Sequence, residues 1–303
     1  ESVVLSFFES NFISNQSTYN GGAIDANNSR LTLSACTFTG NTSGALGGAI
    51  NGASAALIFA DSNFTSNVSQ LEGGAINGTN ASLVLTNCSF TSNQNASFNG
   101  GGALNVKGGT LSDINGTYTG NSCAPGSGGG AIQWAGTDAN FTETSFSENQ
   151  SPSYRGGAII ATSGNLQFSK CIFSDNTSGA RGGAIRGESV VLSFFESNFI
   201  SNQSTLNGGA ISASNSSLST TRCIFTSNRS NGNGGGACHI NEGVWLDRNG
   251  SYSKNISSFQ GGAILWEETT GSLADSNFSY NENISWHGGG AIYVSKSSPI
   301  ISR

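Results

Sequence analysis

The chain is predicted to be all-β, a parallel β-helix (β-solenoid) of about eleven coils, and three observations carry that expectation. Gly-Gly-Ala-Ile, or a variant ending in Leu104 or Cys238, begins at Gly21, Gly47, Gly73, Gly101, Gly129, Gly156, Gly182, Gly208, Gly235, Gly261 and Gly289, a period of 26 to 28 residues. Beside it runs an aromatic residue followed three places later by Asn: Phe12/Asn15, Phe38/Asn41, Phe64/Asn67, Phe90/Asn93, Tyr118/Asn121, Phe146/Asn149, Phe173/Asn176, Phe199/Asn202, Phe225/Asn228, Tyr252/Asn255 and Phe278/Asn281. The step from the fourth motif residue to the next aromatic is always 14, whereas the step from Asn to the next Gly pair varies from 6 to 8.

A fixed step keeps equivalent residues stacked from coil to coil, which hydrogen bonding between coils enforces, so this arc is strand and the variable part is an outward loop. Each coil then holds three short strands, and eleven coils rising by about 4.8 Å span roughly 50 Å. The aromatic ladder points inward. The Asn ladder is placed at a corner, where Asn tolerates left-handed backbone angles and its amide bonds along the axis to its neighbours. The Gly pair permits a sharp return after loops of different length. After it, Leu31-Thr-Leu33, Leu83-Val-Leu85, Leu166-Gln-Phe168 and Leu192-Ser-Phe194 alternate as half-buried strands do.

Residues 1 to 24 recur at 188 to 211 with one difference, Tyr19 against Leu206. The displacement equals seven coils, so the expected domain is one continuous solenoid over 1–303, built from a tandem seven-coil block. Neither end reads as a polar cap or closing helix. Open solenoid ends associate, so the chain is expected to be part of a longer array or to self-associate head to tail along its axis.

Only 10% of residues are charged and the net charge is -6, without the clustered Lys and Arg that nucleic acid requires. No apolar run is long enough to span a membrane, and no signal peptide begins the sequence. Cys36, Cys88, Cys171 and Cys223 share one coil position, taken elsewhere by Ser62, Gly116, Thr144, Ser197 and Gly250. Cysteines two coils apart would lie about 9.6 Å from each other, too far to bridge. Cys238 replaces a core Ile and Cys123 is assigned to a loop; all are expected to stay reduced, and no spacing indicates a metal or cofactor.

About twenty Asn-x-Ser/Thr triplets occur, among them Asn27, Asn63, Asn77, Asn80, Asn95, Asn140, Asn215, Asn228 and Asn283. Such triplets mark surface positions of secreted proteins, although copying a repeat inflates their number. They predict N-linked glycans and a secreted or cell-surface location.

The pairing of Gly-Gly-Ala-Ile/Leu with Phe-x-x-Asn, over the whole chain, resembles the repeat of the chlamydial polymorphic outer-membrane proteins and related repeats of eukaryotic surface proteins. The resemblance implies a solenoid and an adhesive passenger segment, and supplies no catalytic residues. The sequons and the tandem block depart from the bacterial pattern.

Because polysaccharide lyases also use β-helices, a catalytic pair of carboxylates has to be sought. Glu242 and Glu268 each follow their motif by four residues and should stack about 5 Å apart, the separation used by retaining glycosidases, with Trp266 and His239 nearby in sequence. Lys296 continues the same column, so Asn215, Glu242, Glu268 and Lys296 read as surface charge compensation. Bulky residues before the Gly pair, Tyr19, Leu46, Leu71, Phe98, Tyr154, Leu206, Phe259 and Trp286, form a stripe along the axis. They either fold back and seal the coil or offer a lateral contact to a cell-surface or glycan partner. The expected role is a non-enzymatic extracellular scaffold, a glycosylated rod in a surface filament, stalk or flagellar hair. The alternatives are an adhesin and, least favoured, a polysaccharide lyase or hydrolase.

Overall fold

The computed structural model describes residues 3–96, 100–124, 128–286 and 288–302. They form a parallel β-solenoid with three sheets and no helix. The aromatic strands, from Asn11–Ile13 to Asn277–Ser279, make one eleven-stranded sheet. The two-residue strands after the Asn corner, from Gln16–Ser17 to Glu282–Asn283, make a second. The third holds the segments after the Gly pair, two per coil in most coils, such as Ile50–Ala53 and Ala56–Ala60, and a single eleven-residue strand in others, such as Ile76–Thr86. Each coil thus has three sides, one of them carrying up to two strands.

Every pairing is parallel and aligns repeat on repeat: Phe38 with Phe64, Leu31 with Leu57, Ile24 with Ile50. This alignment stacks the aromatic ladder face to face, with centroids 4.5 to 4.9 Å apart and planes within 10°. A shorter stack, Phe141-Phe168-Phe194, meets it edge-on, as at Phe168–Phe173, 5.5 Å and 71°. Such offset and T-shaped contacts add to the burial of the rings.

The Gly pair divides two tasks between its members. Gly73 has φ +66°, which only Gly adopts without steric cost. Gly74 packs backbone against backbone, since a Cβ there would lie 1.8 Å from the carbonyl oxygen of Gly102.

The expectation that the ladder Asn supplies the left-handed angle at its corner is corrected by the structure. None of Asn15, Asn41, Asn67, Asn93, Asn121, Asn149, Asn176, Asn202, Asn228, Asn255 and Asn281 has a positive φ. The left-handed residue is the one before: Ser14, Ser66, Ser92, Glu148, Asp175, Ser201, Ser227, Lys254 and Tyr280, or Gly40 and Gly120. That residue takes the reversal, which leaves the following Asn free to turn its amide inward. Nine of the Asn, from Asn41 to Asn255, are fully buried; in the first and last aromatic coils Asn15 is exposed and Asn281 half-buried.

Cys123 also differs from expectation. It occupies the inward position of the two-residue strand Ser122–Cys123, in register with Asn95, and is buried. All six cysteines are free and buried, and burial pushes the thiols of Cys88, Cys171 and Cys223 up, to about 11, 12 and 12.

Candidate functional site

The Asn side chains form a continuous polar wire inside the column. Asn67 Oδ1 accepts from both the backbone N and the Nδ2 of Asn41, at 3.0 and 2.9 Å. Its Nδ2 donates to the Phe38 carbonyl and to Asn93 Oδ1. The set recurs coil by coil: Asn93 donates to Asn121, Asn121 to Asn149, Asn149 to Asn176, Asn176 to Asn202, Asn202 to Asn228, Asn228 to Asn255 and Asn255 to Asn281, all at 2.9 to 3.0 Å. From Asn41 onward each Nδ2 also holds a carbonyl of the preceding coil, as Asn121 does at Phe90, Asn149 at Tyr118, Asn176 at Phe146, Asn202 at Phe173 and Asn255 at Phe225. Every interior amide is therefore saturated, and donation along the wire always runs toward the following coil.

A second ladder escaped the sequence reading. The residue directly after each motif is Asp25, Asn51, Asn77, Asn105, Gln133, Ile160, Arg186, Ser212, His239, Leu265 or Tyr293, stacked in register. Asn51 donates to Asp25, Asn77 to Asn51 and Asn105 to Asn77, at 2.7 to 2.8 Å, which is the opposite direction to the first wire. The signal was present in the sequence as a run of polar residues at one repeat position. Strand alternation alone does not reveal it, because the side chains are covered by the preceding loop rather than by the column.

From Ile160 onward the run of amides ends, and the position holds Arg186, Ser212 and His239 before Leu265 and Tyr293. The loop residues just before the Gly pairs, Arg155, Arg181 and Asn207, stand beside the sheet residues Arg186 and His239 and the next outward positions, Glu188, Ser214, Asn241 and Glu267. Together with Asn215, Asn233 and Glu242 they enclose a polar basin of about 300 Å³. Three of the chain's twelve Lys and Arg residues converge here. The Arg186 side chain is only 2% exposed; its terminal nitrogens reach Ser212, Ser214 and Glu188, while its Nε is buried and has no partner among the described residues. Burial lowers the guanidinium to about 10, so it remains charged at neutral pH.

Asn207 Nδ2 lies 3.2 Å from His239 Nδ1, which makes that nitrogen the acceptor and places the imidazole proton on Nε2, 2.8 Å from Glu267 Oε2. Burial holds the His239 pKa below its ordinary value against the pull of Glu267, and the His239 bond holds Glu267 below the usual carboxylate range. The pair is therefore neutral imidazole and carboxylate. Asn207 Oδ1 is buried without a partner among the described residues.

A second, adjoining recess of about 310 Å³ is lined by Lys107, Gln133, Tyr154, Arg155, Ile160, Thr162 and Glu188. It shares Arg155 and Glu188 with the basin, and Arg155 lies 4.9 Å from the Tyr154 ring centroid.

Two further polar clusters lie inside the column. Asp113 accepts from the Tyr118 hydroxyl at 2.8 Å, and Asp247 accepts from Thr220 and Ser276. In these two coils alone the ladder aromatic is Tyr and the small position is Gly. The reason is space: a Cβ on Gly116 or Gly250 would lie 2.4 Å from the carboxylate oxygens. Burial raises Asp113 to about 7 and raises Asp247 in the same direction.

The other anticipated residues are scattered by the fold. Asn27, Asn63, Asn80, Asn140 and Asn215 are exposed and Asn283 is half-buried, but Asn77, Asn95 and Asn228 are buried and hydrogen-bonded. A glycan cannot be accommodated at those three. Much of the sequon excess has a structural origin, since a ladder Asn is followed two residues later by an inward small residue such as Ser43, Ser69 or Ser204. Tyr19 and Trp286 are 77% and 100% exposed, Leu71, Leu206 and Phe259 about half, whereas Tyr154 is half-buried beside Arg155. Phe98 lies outside the described residues.

Glu242, Glu268 and Lys296 stand at one left-handed corner with Asn215, and Lys296 bonds Glu268 at 2.7 Å on the exposed surface. Trp266 is fully buried and donates to the Thr269 carbonyl, and His239 faces Glu267 instead. No cluster of three or more potential metal ligands occurs among the described residues, which also contain no helix long and apolar enough to cross a membrane.

The repeat model of the Chlamydia polymorphic membrane proteins matches the chain at three places, residues 35–53, 170–188 and 196–214. Each match runs from the aromatic strand's entry through the Asn corner and the Gly pair, the two features that build the wire and the backbone-on-backbone contact. No curated protein and no solved structure shows a significant match.

Proposed function

We propose that this chain is a segment of an extracellular structural scaffold, a rigid rod that forms or decorates a surface filament, stalk or flagellar hair. The surface assignment draws on its likeness to the membrane-protein repeat of Chlamydia at those three places. The observation that carries the mechanical role is the uninterrupted polar wire from Asn15 to Asn281, because a saturated ladder resists bending and shear at every coil. The coil at residue 1 nearly duplicates an interior one, so another coil fits on it in register, from the same polypeptide or from another protomer.

The rod is read as non-enzymatic, since Glu268 pairs with Lys296 on the exposed surface and does not line the cavity that Glu242 lines. The exposed aromatics Tyr19, Phe259 and Trp286 favour adhesion as the second reading. Negative-stain images should show rods that lengthen end to end. Hydrolysis or elimination on an acidic polysaccharide, abolished by Glu242→Gln, would defeat the scaffold reading.

Glycan attachment is expected at the exposed sequons Asn27, Asn63, Asn80, Asn140 and Asn215 when the chain is made in a secretory pathway. Asn77 and Asn95 should remain bare. Peptide mapping by mass spectrometry reads both; a glycan on Asn77 in folded material contradicts the burial of the second ladder.

A further inference from the structure

We infer that the basin between the loop wall and the outer sheet face binds a uronic-acid residue, and that the adjoining Tyr154 recess takes the next sugar of the same oligosaccharide. The inference stands on this cavity and holds whichever role the rod plays.

Three observations select the ligand. The first is an available cation: Arg155 and Arg186 both lean on the single carboxylate of Glu188, and Arg181 forms no ion pair among the described residues. Arg181 lines the basin with His239 and Glu267. A planar guanidinium in that setting suits a carboxylate, which it binds through paired N–H donors.

The second is a pair of buried polar atoms with opposite needs. Arg186 Nε has a proton to donate and Asn207 Oδ1 a lone pair to fill, and neither has a partner among the described residues. A sugar hydroxyl serves as acceptor for one and donor for the other, whereas sulfate has no proton to donate to Asn207. Glu267 and Asn241 line the same wall and offer further acceptors to a polyhydroxylated ring.

The third is shape. The basin, about 300 Å³, is at the small end of ligand pockets and has almost no apolar lining, so it fits one polar ring. The Tyr154 recess, about 310 Å³, continues it along the axis with an aromatic face that can stack on the apolar face of a sugar. The two share Arg155 and Glu188, so a linear chain lies parallel to the solenoid axis.

The test uses isothermal titration with a galacturonic-acid tetrasaccharide and its fully methyl-esterified form. The acid should bind, and the ester should bind at least about tenfold more weakly, as should the acid to Arg181→Gln. Tyr154→Ala should weaken the tetrasaccharide while leaving free galacturonate unchanged. Arg181 and Tyr154 are both partly exposed, so each variant should melt with the parent. Failure of the acid to bind, equal binding by Arg181→Gln, or displacement by inorganic sulfate at equal affinity would each overturn the assignment. Loss of binding would leave rod formation untouched, so the two readings fail separately.

Discussion

Replacing Asn67 by Leu is expected to destabilise the column by roughly 3 kcal/mol or more, the largest effect of any single substitution on the polar wire. The change strands the backbone N and the Nδ2 of Asn41, which both donate to Asn67 Oδ1, and removes the donor to the Phe38 carbonyl. Asn41 and Asn67 are fully buried, so water cannot replace the lost partners. Apolar burial by the new side chain offsets little, because the site is shaped for an amide between two amides. Asn63→Leu, on the exposed face of the same coil, is the control and should change stability by no more than about 0.5 kcal/mol. Thermal melts of the two variants decide the matter: equal midpoints would mean that the ladder does not hold the coils.

The second large effect concerns pH. Asp113 is buried in the column with a pKa of about 7, raised by desolvation and only partly lowered by the Tyr118 hydroxyl. Unfolded, it titrates near the ordinary carboxylate value. Below that value both states are protonated and the group costs nothing. As pH rises toward 7 the unfolded chain releases a proton that the column still holds, so stability falls by roughly 1.4 kcal/mol per pH unit across that window. Asp247 is shifted in the same direction and adds to the trend. Glu267 opposes it, since a lowered carboxylate loses its contribution only in acid. Asp113→Asn should therefore raise the melting temperature at pH 8 by several degrees and leave it almost unchanged at pH 4. Parallel pH profiles for the two proteins would place the Asp113 carboxyl in contact with water.

A carboxylate that weakens its own protein at neutral pH requires compensation, and the compensation was written in the sequence. Tyr118 with Gly116, and Tyr252 with Gly250, depart together from the Phe-and-small pattern in the two coils that carry Asp113 and Asp247. The Tyr118 hydroxyl supplies a donor to Asp113, and in both coils the missing Cβ supplies room. Neither departure has meaning alone. Their coincidence became legible only when the column showed that positions five residues apart on the chain face each other across a corner.

Repetition determined the architecture without help from coordinates. A constant step of 14 from motif to aromatic can be kept over eleven coils only if equivalent residues stack, and stacking dictates parallel strands, in-register ladders and an inward aromatic column. The same logic identified Asn67, Asn121, Asn149, Asn176, Asn202, Asn255 and their equivalents as axial hydrogen-bonders, but assigned the left-handed turn to the wrong residue. A repeat names the corner without saying which of two neighbours bends, and the structure gave that task to Ser66 and its counterparts. Sequons behaved likewise: the Asn-x-Ser/Thr pattern is the same at Asn63's surface and at Asn228's interior, because burial depends on which way the side chain faces. The basin lay furthest from reach. Arg155 and Arg181 each precede a Gly pair, and Arg186 and His239 each follow a motif, but most coils carry other residues at these positions, so the repeat does not mark them as a cavity. Only the winding of the column, which sets residues a whole coil apart in sequence about 4.8 Å apart in space, brings them around one cavity.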